Sequence, residues 1–173
     1  MGMLLLGAGG STVAVPAGMT IRQITPLVTG NTVDTSRTLV FPAPIDNTGM
    51  IVVCAAIGAE GSSGASDSDD IITGVTMTDV EAFVRAHGRP MSSGLYGTDV
   101  WYADITSGGE TDVVVAHLND VHCSMFAIEL TAEGTLATPV GSENYSDTSP
   151  STGAVSGIPA SNGIAILPVY NDP

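Results

Sequence analysis

Lysine is missing from this chain of 173 residues, and four arginines (Arg22, Arg37, Arg85 and Arg89) face 18 acidic residues. The resulting formal net charge of −14 excludes a class of partners. Nucleic-acid binding needs cations to displace phosphate counterions, and attraction to anionic lipid needs a basic surface. The expectation is therefore no nucleic-acid and no membrane partner. Such acidity also keeps a protein soluble in salty water. Aromatic residues are scarce as well, with three Phe, one Trp and four Tyr. The 43% of hydrophobic residues is thus mostly Ala, Val, Ile and Leu, the small and β-branched types that suit closely packed sheets. No apolar run nears the roughly 20 residues of a membrane-spanning helix. Residues 1–10 hold no basic stretch, and Met3–Leu6 is too short an apolar run for a secretory signal. The expectation is a chain assembled in a cytoplasm.

There are only two cysteines, Cys54 and Cys123, each inside an apolar run. Two buried thiols are expected, because an isolated Cys behaves as a small hydrophobe. A disulfide between facing sheets is the alternative. Trp101 lies between them but close to Cys123, which is not the spacing of antibody-like domains.

What the chain does have is a series of short β-rich runs broken by Gly, Ser and Asp. The clearest are Met50–Ile57, Ile71–Thr78, Asp99–Ile105, Thr111–His117 and Cys123–Leu130. This pattern predicts an all-β fold, an antiparallel β-sandwich of jelly-roll or Ig-like type with about 8–10 short strands. The length fits one domain. Residues 1–48 read as an N-terminal arm and first strands, packed on or beside a main β-sandwich domain over residues 49–173. Within the first part, Leu4–Leu6 is a short strand or a docking arm. Thr12–Val15 and Ile21–Leu27 read as strands around the turn at Pro16–Gly18, and Thr38–Phe41 is a strand stopped by Pro42 and Pro44.

Further on, Gly58–Asp70 reads as an exposed acidic loop. Ala82–His87 reads as a strand, with a short helix over Asp79–Ala86 as the alternative. Gly88–Gly97 reads as a loop carrying Met91, Leu95 and Tyr96. Gly108–Gly109 predicts a hairpin turn between the Trp101 and Val113 strands. Gly141–Thr152 reads as a second polar loop and Ile164–Val169 as a final strand.

None of the chemistry-bearing patterns survives inspection. Leu4–Thr12 begins like a dinucleotide-binding turn, but Thr12 stands where the third glycine belongs and no helix can follow through Pro16. Asp67, Asp69 and Asp70 lack the glycine and late glutamate of a calcium loop. His117, His122 and Cys123 form the only soft-ligand cluster, yet adjacent strand residues point to opposite faces. No nucleophile elbow and no His-Glu-x-x-His helix is present, and nothing singles out a pair of carboxylates. No catalytic residue, metal or cofactor is expected. Trp101 and Tyr102 alternate sides, so one ring enters the core.

The order of Ile51–Ala56, Gly74–Thr78, Glu81–Arg85, Asp99–Asp104, Gly108–Gly109 and Asp112–Val115 resembles a β-sandwich module of virion structural proteins from tailed phages and prophages. The likeness covers roughly residues 50–170 and is a strand-order pattern with a Trp-Tyr strand before a glycine turn. It implies a non-enzymatic particle component. Combined with the acidity, it points to the outer head surface and to a capsid decoration (cement) protein held by the major capsid protein or other virion proteins. A homo-oligomer fits this role, with a trimer at threefold positions as one form. The residues expected at that interface are Met3, Leu4, Leu5, Leu6, Val13 and Val15. The alternative is a receptor-binding module of a tail tip or fibre, in which Tyr96 and Tyr102 contact host surface polysaccharide.

Overall fold

The computed structural model describes residues 3–6, 11–14, 20–32, 34–59, 72–89, 96–117 and 121–131. Among them are eleven strands and no helix. In chain order these are β1 (Met3–Leu6), β2 (Ser11–Ala14), β3 (Ile21–Ile24), β4 (Val28–Thr32), β5 (Ser36–Val40) and β6 (Met50–Ala59). They continue with β7 (Ile72–Thr76), β8 (Val84–Arg89), β9 (Tyr96–Asp104), β10 (Asp112–His117) and β11 (Val121–Leu130). The predicted all-β sandwich is the fold observed, with every pairing antiparallel.

Two layers form it. One is a six-stranded sheet ordered β3-β11-β6-β9-β8, with β4 also paired to β11. The other is a three-stranded sheet ordered β5-β10-β7. Its strand β10 shows why a half-wet sheet forms: Val113 and Val115 are buried while Asp112 and Val114 are exposed, the two-residue period of a sheet with one face in water. β6 differs. Met50 to Ala56 are all buried, so this apolar run is a central strand packed on both faces.

The odd-numbered residues of β6 and β11 face the three-stranded sheet. Ile51, Val53, Ala55, Cys123, Met125 and Ala127 pack there with Leu39, Val113, Val115, Ile72 and Val75. Each fully buried Val, Ile or Leu contributes about 1.5–3 kcal/mol. The even-numbered residues build a second cluster on the opposite face, where Met50, Val52, Cys54, Val100, Ile128 and Leu130 meet Ile21, Ile24 and Tyr102. Both sides of the larger sheet are therefore dry at its centre.

Several local expectations change. The strand read over Ile21–Leu27 stops at Ile24, and a further strand follows in line from Val28. β3 and β4 run along the same edge of β11, separated by Thr25-Pro26-Leu27. Pro26 has no N–H for a ladder, so the pairing breaks there, and the Thr25 hydroxyl accepts the Ala127 N–H (2.9 Å) in its place. β4 itself reads as turn-like sequence (Val28-Thr-Gly-Asn-Thr32) and becomes a strand because β11 offers ten residues of backbone to pair with. Gly58, Gly88 and Gly97, read as loop, lie in β6, β8 and β9, and the 82–87 segment is strand from Val84.

The glycine turn at 108–109 is not a hairpin. β9 pairs with β6 and β8, whereas β10 pairs with β5 and β7, so the chain crosses from one layer to the other. A side chain at Gly108 would strike the Ile45 carbonyl (2.6 Å) and the Asn47 carboxamide (2.8 Å), which fixes the residue type at this corner.

Strands from before and after residue 48 share both layers. β3 and β4 belong to the six-stranded sheet and β5 to the three-stranded one, so residues from both sides of it are interleaved in both layers. The loop at 141–152, the strand at 164–169 and Asp67, Asp69 and Asp70 lie outside the described residues.

Candidate functional site

Titratable groups buried in an apolar sandwich are the first place to look for chemistry, since burying an unpaired charge is costly. Glu129 is the most enclosed of them, with none of its surface exposed. It sits one residue from the end of β11 and points inward, below the 41–49 segment. Its Oε1 accepts from Arg22 Nη1 (2.7 Å) and from the Asp46 backbone N–H (2.9 Å), and its Oε2 accepts from Gln23 Nε2 (2.6 Å). Arg22 also pairs with Asp46 (3.2 Å) and donates to the Thr48 carbonyl (3.0 Å), while the Gln23 carboxamide makes two bonds to the Ala43 backbone. The carboxylate thus ties β3, β11 and the 41–49 segment into one latch. With both oxygens engaged and no access to solvent, it has the position of a structural anchor, not of a proton-transfer group.

A second buried acid, Asp99 on β9, is paired with Arg85 Nε from the neighbouring strand β8. The Arg85 guanidinium lies over the Trp101 ring at 6.0 Å from its centroid. An ion pair stacked on an indole at the seam of β8 and β9 fixes those strands side by side.

The cysteines occupy opposite faces of one sheet. Cys123 belongs to the inter-sheet core and Cys54 to the second cluster, so the two thiols point apart and both are free. Burial pushes the Cys54 thiol up to about 12. Burial also raises Cys123, an effect opposed by the charge and hydrogen bond of Arg37. The Cys123 thiol donates to the Gly30 carbonyl (3.6 Å). Both thiols are protonated at neutral pH, so neither is a ready nucleophile. No group of three or more His, Cys, Asp or Glu among the described residues is placed to hold a metal ion, and His117, buried at the end of β10, is not in such a group.

The expected interface residues fall mostly in a hairpin. Met3, Leu4, Leu5 and Leu6 form β1 and pair with β2, in which Leu4 lies opposite Val13. Val15 lies outside the described residues. The two tyrosines proposed to contact glycan share one strand, six positions apart, which places them about 20 Å from each other. Tyr102 is half-buried against the second cluster, and Trp101 is half-buried against the inter-sheet core, so both rings pack, on opposite faces.

Reading the sequence did not single out Glu129, Asp99 or their arginines. The available signal was a lone acid at an inward position of an apolar strand, as in Ala127-Ile-Glu-Leu130, in a chain with very few cations to pair with it. Comparison with known proteins gives no match: no family model, no curated protein and no solved structure is similar to this chain.

Proposed function

We propose that this protein is a non-enzymatic structural component of a phage particle, a decoration protein bound to the outside of the capsid. The observation that carries this reading is how the charge is distributed. Of four arginines, Arg22 and Arg85 are spent on the buried carboxylates Glu129 and Asp99, and Arg37 is half-buried beside Cys123. These three cations are spent on buried or half-buried partners, in a chain whose net charge is −14. A chain of that charge is repelled by packaged DNA and comfortable on the outer side of a shell.

The scaffold suits a clamp. A two-layer sandwich with ion-pair latches at its seams offers a stiff body, and association through shape and apolar contact asks nothing more of it. The β1–β2 hairpin carries the apolar residues Met3–Leu6 and Val13 and is the segment assigned to docking on neighbouring capsid subunits.

Quantitative mass spectrometry of purified particles tests the assignment. A decoration protein is present in numbers comparable with the major capsid subunit, and the purified protein co-sediments with empty capsids. A handful of copies per particle, or binding to host polysaccharide instead of capsids, refutes it in favour of a tail module.

A further inference from the structure

The two layers have four edges among the described strands, and three are blunted. The β3–β4 edge is interrupted at Thr25-Pro26-Leu27 and is tied to the 41–49 segment by Gln23 and Arg22. The β8 edge has a register shift between Arg85 and His87. On the β7 side of the smaller sheet, the pairing shifts between Ala116 and His117, next to Gly74. Bulges, breaks, charges and covering segments are the devices by which proteins keep edge strands from pairing with other chains.

Among the described residues β5 has no break, bulge or covering segment, and its one charge is Arg37. Its five residues, Ser36-Arg-Thr-Leu-Val40, pair with β10 in unbroken register and include no Pro, Gly or acid. The Phe41 N–H donates to Thr111 and the His117 N–H to Thr35, both at 2.9 Å, so the odd-numbered residues turn their backbone groups toward β10. Ser36, Thr38 and Val40 then turn their N–H and C=O groups to the open side. All three are exposed, Val40 by 48%.

We infer that β5 is a docking edge for a second copy of this chain, paired antiparallel about a two-fold axis through Thr38, so that two three-stranded sheets become one continuous six-stranded sheet. The strand is self-complementary in that register. Thr38 lies opposite Thr38, and Ser36 opposite Val40, with every outward N–H meeting a carbonyl. Arg37, the only charged residue of the strand, then lies opposite Leu39 rather than opposite its own copy. Charge selects this partner further. Two bodies of charge −14 approach most cheaply where few carboxylates meet, and β5 itself carries none, with the exposed Asp34 and Asp112 confined to its two ends. Five paired residues bury less than the roughly 800 Å² per partner of a standard interface, so the dimer is weak and depends on concentration. Because backbone hydrogen bonds hold it and acidic bodies resist it, added salt strengthens it. The inference is independent of where the protein acts.

Sedimentation of the full chain from micromolar to near-millimolar concentration tests it. The expected result is a mass that moves from 17.5 kDa toward twice that value, further at high salt than at low salt. Thr38→Cys should give a covalent dimer on mild oxidation, since hydrogen-bonded antiparallel partners stand about 5.5 Å apart at Cα, within disulfide reach. Val114→Cys, on the same exposed face but in the central strand β10, should not. Thr38→Pro leaves every bond to β10 in place and should abolish the dimer. A monomer at every concentration and salt, equal cross-linking of the two Cys variants, or a Thr38→Pro protein that folds and still dimerises each overturns the inference. So does a monomer whose β5 edge takes up a strand from another protein instead. Should Thr38→Pro fail to fold, the Cys pair decides.

Discussion

Replacing Glu129 by alanine removes the carboxylate at the centre of the latch between β3, β11 and the 41–49 segment. Three hydrogen bonds disappear, from Arg22, Gln23 and the Asp46 N–H. Breaking a buried ion pair from one side costs about 3–5 kcal/mol when the remaining charge is stranded. Arg22 is not fully stranded: its side chain is 27% exposed and keeps Asp46 and the Thr48 carbonyl. That places Glu129→Ala near the lower end, at about 3 kcal/mol. Glu129→Gln keeps the shape and an acceptor but turns charge-assisted bonds into neutral ones, for a loss of about 1–2 kcal/mol. Arg22→Ala should be intermediate, because the carboxylate retains Gln23 and the Asp46 N–H. Urea unfolding followed by circular dichroism measures all three. In a domain of this size, 3 kcal/mol corresponds to a fall in Tm of about 6–12 °C. Glu129→Ala within 1 kcal/mol of the parent (about one standard hydrogen bond) would refute the idea that this latch holds β3, β11 and the 41–49 segment together.

Three other outcomes follow from the same structure. Arg85→Ala should cost about 2–3 kcal/mol by leaving the buried Asp99 without its ion pair, and should change Trp101 fluorescence because the guanidinium leaves the ring; an unchanged spectrum and melt would contradict the stacked pair. The buried Cys54 thiol, raised from 9.0 to about 12, binds its proton more tightly in the folded chain, so stability is full below pH 9 and falls as pH rises toward 12, by up to about 4 kcal/mol, and Cys54→Ala should flatten that decline in alkaline urea titrations. Gly49→Ala should cost more than about 3 kcal/mol, since φ is +127° and a methyl group would run into the Leu130 carbonyl; a soluble variant melting at the parent temperature would show that the corner can relax.

The strand at Thr111–His117 was legible from its two-residue apolar period, and those at Met50–Ile57 and Cys123–Leu130 as short apolar runs rich in strand-forming residues. The absence of lysine and the excess of acids likewise set the net charge of −14. The buried thiols followed from their apolar neighbours. Other features depended on distant residues. Val28–Thr32 has turn-like composition and is a strand only because β11 extends beside it. Gly108–Gly109 looks like a hairpin turn locally, and the choice to cross between layers is made by β5 and β7 claiming both sides of β10. Glu129 and Arg22 are 107 positions apart in sequence, so nothing local announces their bond.

Chain composition and periodicity therefore determined the all-β class, the apolar strands and the acidic character, since these depend on each residue and its near neighbours. Tertiary structure alone decided which acids are buried and paired, that Cys54 and Cys123 face apart, and that β5 pairs with β10 alone among the described strands. These properties belong to pairings between remote segments, whose energies exist only once the two sheets have closed on each other.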